Sequence, residues 1–256
     1  MGLLKLILKA AAPVPQVEAF QRYLFLAPHP DDNEIGAGAT AAKLAAMGKD
    51  VCFLTCLDGR FGDGNAGGLK GDSLAAHRRQ EAIASAAMLG VTDVRFLDFR
   101  DGGFYDPADL VPQIARVVGD FQPDVIFAPD PDVTSECHVD HVNVGRAAKQ
   151  VAYFAPYGSI MEQYGATAAP VQALALYMTA KPNRFVKTKG YLDTQLKAIF
   201  DCHLSQFPKG CAEGDSIRLY LKLRSVEMGL RSGKGCAEGF RTLGVTQMHC
   251  LPEAGD

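Results

Sequence analysis

A chain of 256 residues with 48% apolar and 21% charged content can bury a full core, and a single domain is the default at this length. A formal charge of −3 offers no basic field to a phosphate backbone, so nucleic-acid binding has no support. Seven cysteines without a C-x-x-C pair argue against a disulfide scaffold or a structural thiolate zinc site, and reduced thiols fit a cytoplasmic location.

The first segment, Met1–Lys9, is apolar, but Lys5 and Lys9 interrupt any continuous signal-peptide core. Residues 1–21 are therefore expected to be an amphipathic extension of one domain whose core runs from about 22 to 245. Leu6 stands where myristoylation wants Ser or Thr, and no apolar run approaches transmembrane length.

From Tyr23 onward apolar runs alternate with helical patterns. Tyr23–Ala27, Val51–Leu57, Val94–Phe99 and Val125–Ala128 are expected strands, with helices at about Gly36–Met47, Ser73–Leu89, Ala108–Phe121 and His141–Phe154. Val171–Thr179 adds a strand, and Leu192–Cys202 and Ser216–Leu230 add helices. The βαβ alternation predicts an α/β fold: a parallel sheet with helices on both faces and right-handed crossovers. Cys52 and Cys56 share one face of a strand and are expected to be core residues.

The first strand runs directly into Pro28-His29-Pro30-Asp31-Asp32-Asn33-Glu34, which packs an imidazole and two carboxylates into four residues. In open α/β sheets ligands bind beyond the C-terminal ends of the strands, where this segment lies. A second cluster follows the fourth strand: Asp130-Pro131-Asp132, then His138-Val139-Asp140-His141 at a helix start. The two converge if their strands are neighbours.

A catalytic zinc keeps three nitrogen or oxygen ligands and one open position, and His29, Asp32 and His141 suit those three places. The bound metal would lower the pKa of a water towards roughly 7 and polarise a carbonyl, as hydrolysis of an unreactive amide requires. Asp31 is the expected general base. His138, protonated, would stabilise an oxyanion or act as acid. Asp140 and Glu34 suit the fixing of histidine tautomers from behind.

Between the clusters the glycine-rich loop Asp58–Asp72 leaves the end of the second strand, and two readings stand side by side: a substrate lid over the same crevice, with Arg60 as a donor to substrate, or a disordered surface loop. Arg78, Arg79 and Glu81 are expected on a solvated or structural ion-pair face, and His77, His203 and His249 in structural roles.

His29-Pro30-Asp31-Asp32-Asn33-Glu34-Ile35-Gly36, Leu57-Asp58-Gly59-Arg60-Phe61-Gly62 and His138-Val139-Asp140-His141 together resemble the LmbE/PIG-L family of metal-dependent deacetylases. Weaker agreement extends through Arg78-Arg79-Gln80-Glu81 with Leu89-Gly90-Val91, His203-Leu204-Ser205-Gln206 and Ala237-Glu238-Gly239-Phe240, so the resemblance spans about residues 22 to 245. It implies a Rossmann-like fold and a zinc-dependent hydrolase, with Fe2+ an alternative metal, removing an N-acyl group, usually acetyl, from an amino sugar or its conjugate. By motif position it implies His29, Asp32 and His141 as metal ligands, Asp31 as base and His138 on the oxyanion side. Arg60 stands where the family often has an acidic residue, and Phe185-Val186-Lys187-Thr188 replaces an aspartate-containing segment, so the identity of the sugar stays open. The implied partner is a small N-acylated amino sugar, with a homo-oligomer left open.

Three other readings compete. Gly36-Ala37-Gly38 echoes the glycine loop of a dinucleotide-binding oxidoreductase, but the carboxylates of the preceding turn would repel a pyrophosphate. A non-haem iron oxygenase uses the same ligand types, usually on all-β scaffolds. A non-catalytic carbohydrate- or metal-binding protein would retain the ligands without needing Asp31.

Overall fold

Five apolar strands pair in parallel through the middle of the chain: β1 (Arg22–Ala27), β2 (Asp50–Leu57), β3 (Asp93–Phe99), β4 (Val125–Pro129) and β5 (Ala173–Tyr177). They belong to a computed structural model that describes residues 7, 8 and 10–249. Most of the expected extension at Met1–Lys9, and Cys250, lie outside the described residues.

The helices are α1 (Asp32–Ala46), α2 (Gly71–Met88), α3 (Pro107–Phe121), α4 (Val139–Phe154), α5 (Gly158–Gln163), α6 (Leu192–Lys197) and α7 (Ala212–Ser232). The expected helix at Leu192–Cys202 is α6 followed by a π-helical turn, Ala198–Cys202. Short α5 was not anticipated.

The strand order is β3-β2-β1-β4-β5-β7-β6. The expectation of a parallel sheet is corrected at one edge. There β7 (Ala237–Gly244) pairs antiparallel with both β5 and β6 (Arg184–Lys187). Four-residue β6 and the glycine- and charge-bearing β7 carry little apolar periodicity, so their pairing is set by the edge that β5 leaves open.

Both faces of the central strands are buried, which explains their continuous apolar runs. Leu24, Leu26, Cys52, Leu54 and Cys56 pack under α3 and α4, whereas Tyr23, Phe25, Val51 and Phe53 pack on the opposite face. Phe25 stacks on Phe127 at 4.2 Å between ring centres, fastening β1 to β4. Helix α3 shows how local sequence sets an element's limits. Asp106 accepts from the Ala108 amide at 2.9 Å, Pro107 occupies the first turn, and Leu110, Ile114 and Val118 form the buried stripe.

Strand β1 lies between β2 and β4, and the chain proceeds outward in both directions from it, so the topological switch point falls beside β1 and β4. Helix α1 leaves that point with a kink at Ala37. Glu238 of β7 accepts from the amides of Ala39 at 3.2 Å and Thr40 at 2.7 Å, capping the segment beyond the kink.

Candidate metal centre and its cavity

The β1–α1 turn is held by its own side chains. The His29 amide donates to Asp32 Oδ2 at 2.9 Å, and Asp32 opens α1 as its first residue. Between them Asp31 adopts φ 142°, a conformation rarely occupied by residues other than glycine, so the turn stores backbone strain. The strain places two adjacent carboxylates in different surroundings.

Asp32 faces two imidazoles. Its Oδ2 lies 3.2 Å from His29 Nδ1 and 3.4 Å from His141 Nε2, and the three residues form one possible metal-holding group. Tetrahedral ligands about 2.05 Å from zinc are separated from each other by roughly 3.3 Å, so both spacings fit a zinc-sized ion. The donor set is of the right kind and the fit is good.

Behind His29, its Nε2 meets Asp140 Oδ2 at 3.0 Å. Asp140 is fully buried and also accepts from the Gly102 and Gly103 amides, at 2.6 and 2.9 Å, and from the Tyr105 hydroxyl at 3.1 Å. Burial disfavours its charge, but His29 and the Gly102 amide outweigh that and hold its pKa near 2. A permanently ionised Asp140 leaves Nδ1 of His29 as the nitrogen facing Asp32. Burial likewise opposes a charged His29 ring, and hydrogen bonding to Asp140 and Asp32 more than offsets it, raising the ring to about 10.

Asp31 faces the other way. Arg78, itself buried, donates from Nη2 to Asp31 Oδ2 and to the Pro30 carbonyl, both at 3.1 Å, and from Nη1 to the Gly59 carbonyl at 3.1 Å. Burial pushes the Asp31 carboxyl above the usual carboxylate range, with Arg78 opposing and Asp32 adding. Of the two expectations for Arg78, the structural ion pair holds and the solvated face does not, because α2 turns it inward. Gly59 has φ 71°, and a Cβ there would lie 2.6 Å from Arg78 Nη1, so this position serves both the turn and the guanidinium.

His138 caps α4, its Nδ1 accepting from the Asp140 amide at 3.4 Å, and its ring lies 4.7 Å from that of His29. Burial and the neighbouring His29 and His141 lower its pKa, which disfavours the protonated ring expected from the sequence. Glu34 touches neither His29 nor His141. It accepts from Ser85 Oγ and lies 3.6 Å from His203 Nε2, which in turn is 3.0 Å from Ser85 Oγ. Its role as a tautomer-fixing carboxylate therefore applies to His203 in the layer beneath the site.

His29, Asp31, Asp32 and His138 line one open cavity of about 440 Å³, a size suited to a small ligand. Phe61, Gly62, Gly64 and Asn65 of the long loop form part of its wall. The loop is tethered over the cavity: Asp101 accepts from the Phe61 amide at 3.2 Å, and Gln206 Nε2 donates to the Gly62 carbonyl at 2.9 Å. Arg60 is placed differently from expectation, outside this wall, with Nη2 2.6 Å from Asp58 and Nη1 2.9 Å from Asp72. Asp130 also stays outside it, accepting from Thr179 Oγ1 at 2.6 Å.

Sequence reasoning missed Arg78, Asp101, Gln206 and the Gly102–Gly103 amides as parts of the site. Asp101-Gly102-Gly103 follows the C-terminal end of β3, so its position after a parallel strand was the available signal. For Arg78 and Gln206 the signal was their place in the family-like segments Arg78-Arg79-Gln80-Glu81 and His203-Leu204-Ser205-Gln206, although the contacts that bring them to the site are tertiary.

Residues 24–152 match the family described as PIG-L: GlcNAc-PI de-N-acetylase. The chain is 32% identical over 237 residues to a diacetylchitobiose deacetylase of Thermococcus kodakarensis, covering 91% of this chain and 87% of that one. It is 30% identical over 206 residues to a 1D-myo-inositol 2-acetamido-2-deoxy-alpha-D-glucopyranoside deacetylase of Kineococcus radiotolerans, covering 69% and 56%. Among solved structures, N,N'-diacetylchitobiose deacetylase from Pyrococcus horikoshii superposes with a TM-score of 0.86 at 30% identity, covering 98% of this chain and 97% of that one.

Proposed function

We propose, since this chain belongs to the PIG-L (LmbE-like) family of de-N-acetylases, that it hydrolyses the N-acetyl group of an amino sugar or amino-sugar conjugate, with a divalent metal held by His29, Asp32 and His141. The observation that carries this reading is the 3.2 and 3.4 Å spacing around Asp32 Oδ2, with Asp31 beside it. Zinc suits two imidazoles and one carboxylate, and Fe2+ accepts the same ligands. Such an ion would supply a Lewis acid for the amide oxygen and a water of lowered pKa.

The protein's own groups do the rest. Asp31 takes the proton of the attacking water as its oxygen bonds to the amide carbon, and returns that proton to the departing nitrogen as the C–N bond breaks. The water's second proton passes from the acid to the amine, so acetate and the ammonium form of the sugar leave. The raised pKa of Asp31 matches a group that both accepts and gives a proton near neutrality. His138 presents Nε2, which has no hydrogen-bond partner among the described residues, as an N–H donor to the developing oxyanion. Asp140, by accepting from His29 Nε2–H, would leave Nδ1 of that ring as the atom offered to the metal.

The oxidoreductase alternative has no support. Gly36 and Gly38 are packing positions rather than a phosphate cradle: a Cβ on Gly36 would overlap the Tyr177 ring, and one on Gly38 would lie 2.9 Å from Gln195 Cγ. No helix among the described residues is long and apolar enough to cross a membrane. The test is acetate release from N-acetylglucosamine, N,N'-diacetylchitobiose and an N-acetylglucosaminyl inositol by metal-loaded protein. Release from at least one is expected, and none from any would overturn the reading.

A further inference from the structure

Fourteen phenylalanines occur in the chain, and only Phe61 and Phe104 are exposed, at 52% and 70%. They are not scattered. The two rings meet edge to face with centres 5.4 Å apart, and Phe61 lines the cavity that holds His29, Asp31 and His138. Both rings lie against Gly102, whose amide binds Asp140 behind His29, so the pair stands at the mouth of the cavity. Val139, 46% exposed and lying against Gly103, continues the apolar rim.

Leaving two phenylalanine rings in water forgoes the stabilisation that full or partial burial gives the other twelve, and a clustered apolar patch beside a polar site marks a binding surface. Both rings stay largely exposed although one edge packs on the other's face, and aromatic faces attract the weakly positive C–H edges of a ligand. A pyranose ring offers such an apolar C–H face alongside its hydroxyls. The chain has no tryptophan, so phenylalanine and tyrosine must supply any such contact. The polar floor of the cavity, with Asp31, Asp101, Gln206 and His138, suits the hydroxyls and amide of the reacting sugar, whereas the rim has little to offer them.

We propose that Phe61 and Phe104 form a stacking platform for a second sugar ring, the one glycosidically joined to the ring that loses its acetyl group. The assignment rests on the amino-sugar reading and makes the pair a determinant of preference for a disaccharide over a monosaccharide. Backbone tethers fix the platform: Asp101 holds the Phe61 amide, and Gly102 and Gly103 adopt left-handed φ values of 73° and 78° that turn the chain towards Phe104.

The test compares wild type with Phe104→Ala and Phe104→Tyr on N-acetylglucosamine and N,N'-diacetylchitobiose. Calorimetric titration of N,N'-diacetylchitobiose into Asp31→Asn and into Asp31→Asn/Phe104→Ala supplies a readout independent of turnover. For Phe104→Ala, KM on the disaccharide should rise about tenfold, the order expected for one lost aromatic contact, with kcat within about twofold. KM on the monosaccharide should move less than about twofold, Phe104→Tyr should behave as wild type, and the disaccharide Kd should weaken about tenfold in the double variant. An equal rise on both sugars, or none on either with acetate still released, overturns the platform and leaves the deacetylase reading intact. Platform-dependent binding without acetate release from wild type upholds the platform and overturns the deacetylase reading.

Discussion

Arg78 reaches Asp31 Oδ2 at 3.1 Å from a helix 47 positions further along the chain, with a side chain only 4% exposed. One guanidinium therefore ties the strained β1–α1 turn to the start of the cavity loop at Gly59. Truncation would take this donor from a buried carboxylate and from the Pro30 carbonyl, and would leave the Gly59 carbonyl only the Gly62 amide. Arg78→Ala should cost about 3–5 kcal/mol, the usual penalty for breaking a buried pair from one side, read as a lower denaturant midpoint at unchanged slope. Arg78→Lys should recover only part of it, because an ammonium cannot span three acceptors set for a planar fork. A loss under about 1 kcal/mol would mean the pair is open to water.

Adjacent Asp31 and Asp32 are assigned different jobs. Asp32→Asn should lose bound metal and activity together, as should His141→Ala. Asp31→Asn should keep its metal while turnover falls by about 10²–10⁴. Elemental analysis beside single-turnover kinetics decides between them. Metal loss in Asp31→Asn with retention in Asp32→Asn would reverse the roles.

Asp140 touches His29 from behind and four donors in all. Asp140→Asn should weaken metal affinity by about 10–100-fold, since the amide cannot hold the same tautomer with the same charge. Competition against a chelator measures it. Unchanged affinity would show that His29 is oriented without Asp140.

Glu238 caps the kinked helix α1 from β7, and burial raises its pKa from 4.5 to about 7 despite the Thr40 and Ala39 amides. The folded chain keeps this proton up to about pH 7, whereas the unfolded chain releases it near 4.5. Its contribution to stability is complete below the lower value and is lost as pH rises through the upper one. Glu238→Gln should remove that dependence, so its stability relative to wild type should improve by up to about 3 kcal/mol between pH 4.5 and 8. A difference that stays flat across this window would place Glu238 in contact with water.

The sequence by itself determined the five parallel strands and most of the helices, because strands buried on both faces must be apolar throughout and amphipathic helices must repeat near 3.6 residues. It also determined that His29, Asp32, His138 and His141 lie beyond the C-terminal ends of two parallel strands, the end of such a sheet where ligands bind. Tertiary structure alone decided what those groups touch. That β1 and β4 are neighbours depends on strand order, which no local pattern encodes. Glu34 turned to Ser85 and His203, and Arg60 to Asp58 and Asp72, because a charged side chain takes the nearest compensating partner that packing brings to it. Arg78, Asp101 and Phe61 entered the site from residues remote in sequence, and β6 and β7 paired only because β5 left an open edge. Short-range periodicity reports which faces are buried, whereas the identity of the partner across a buried face is fixed by long-range packing.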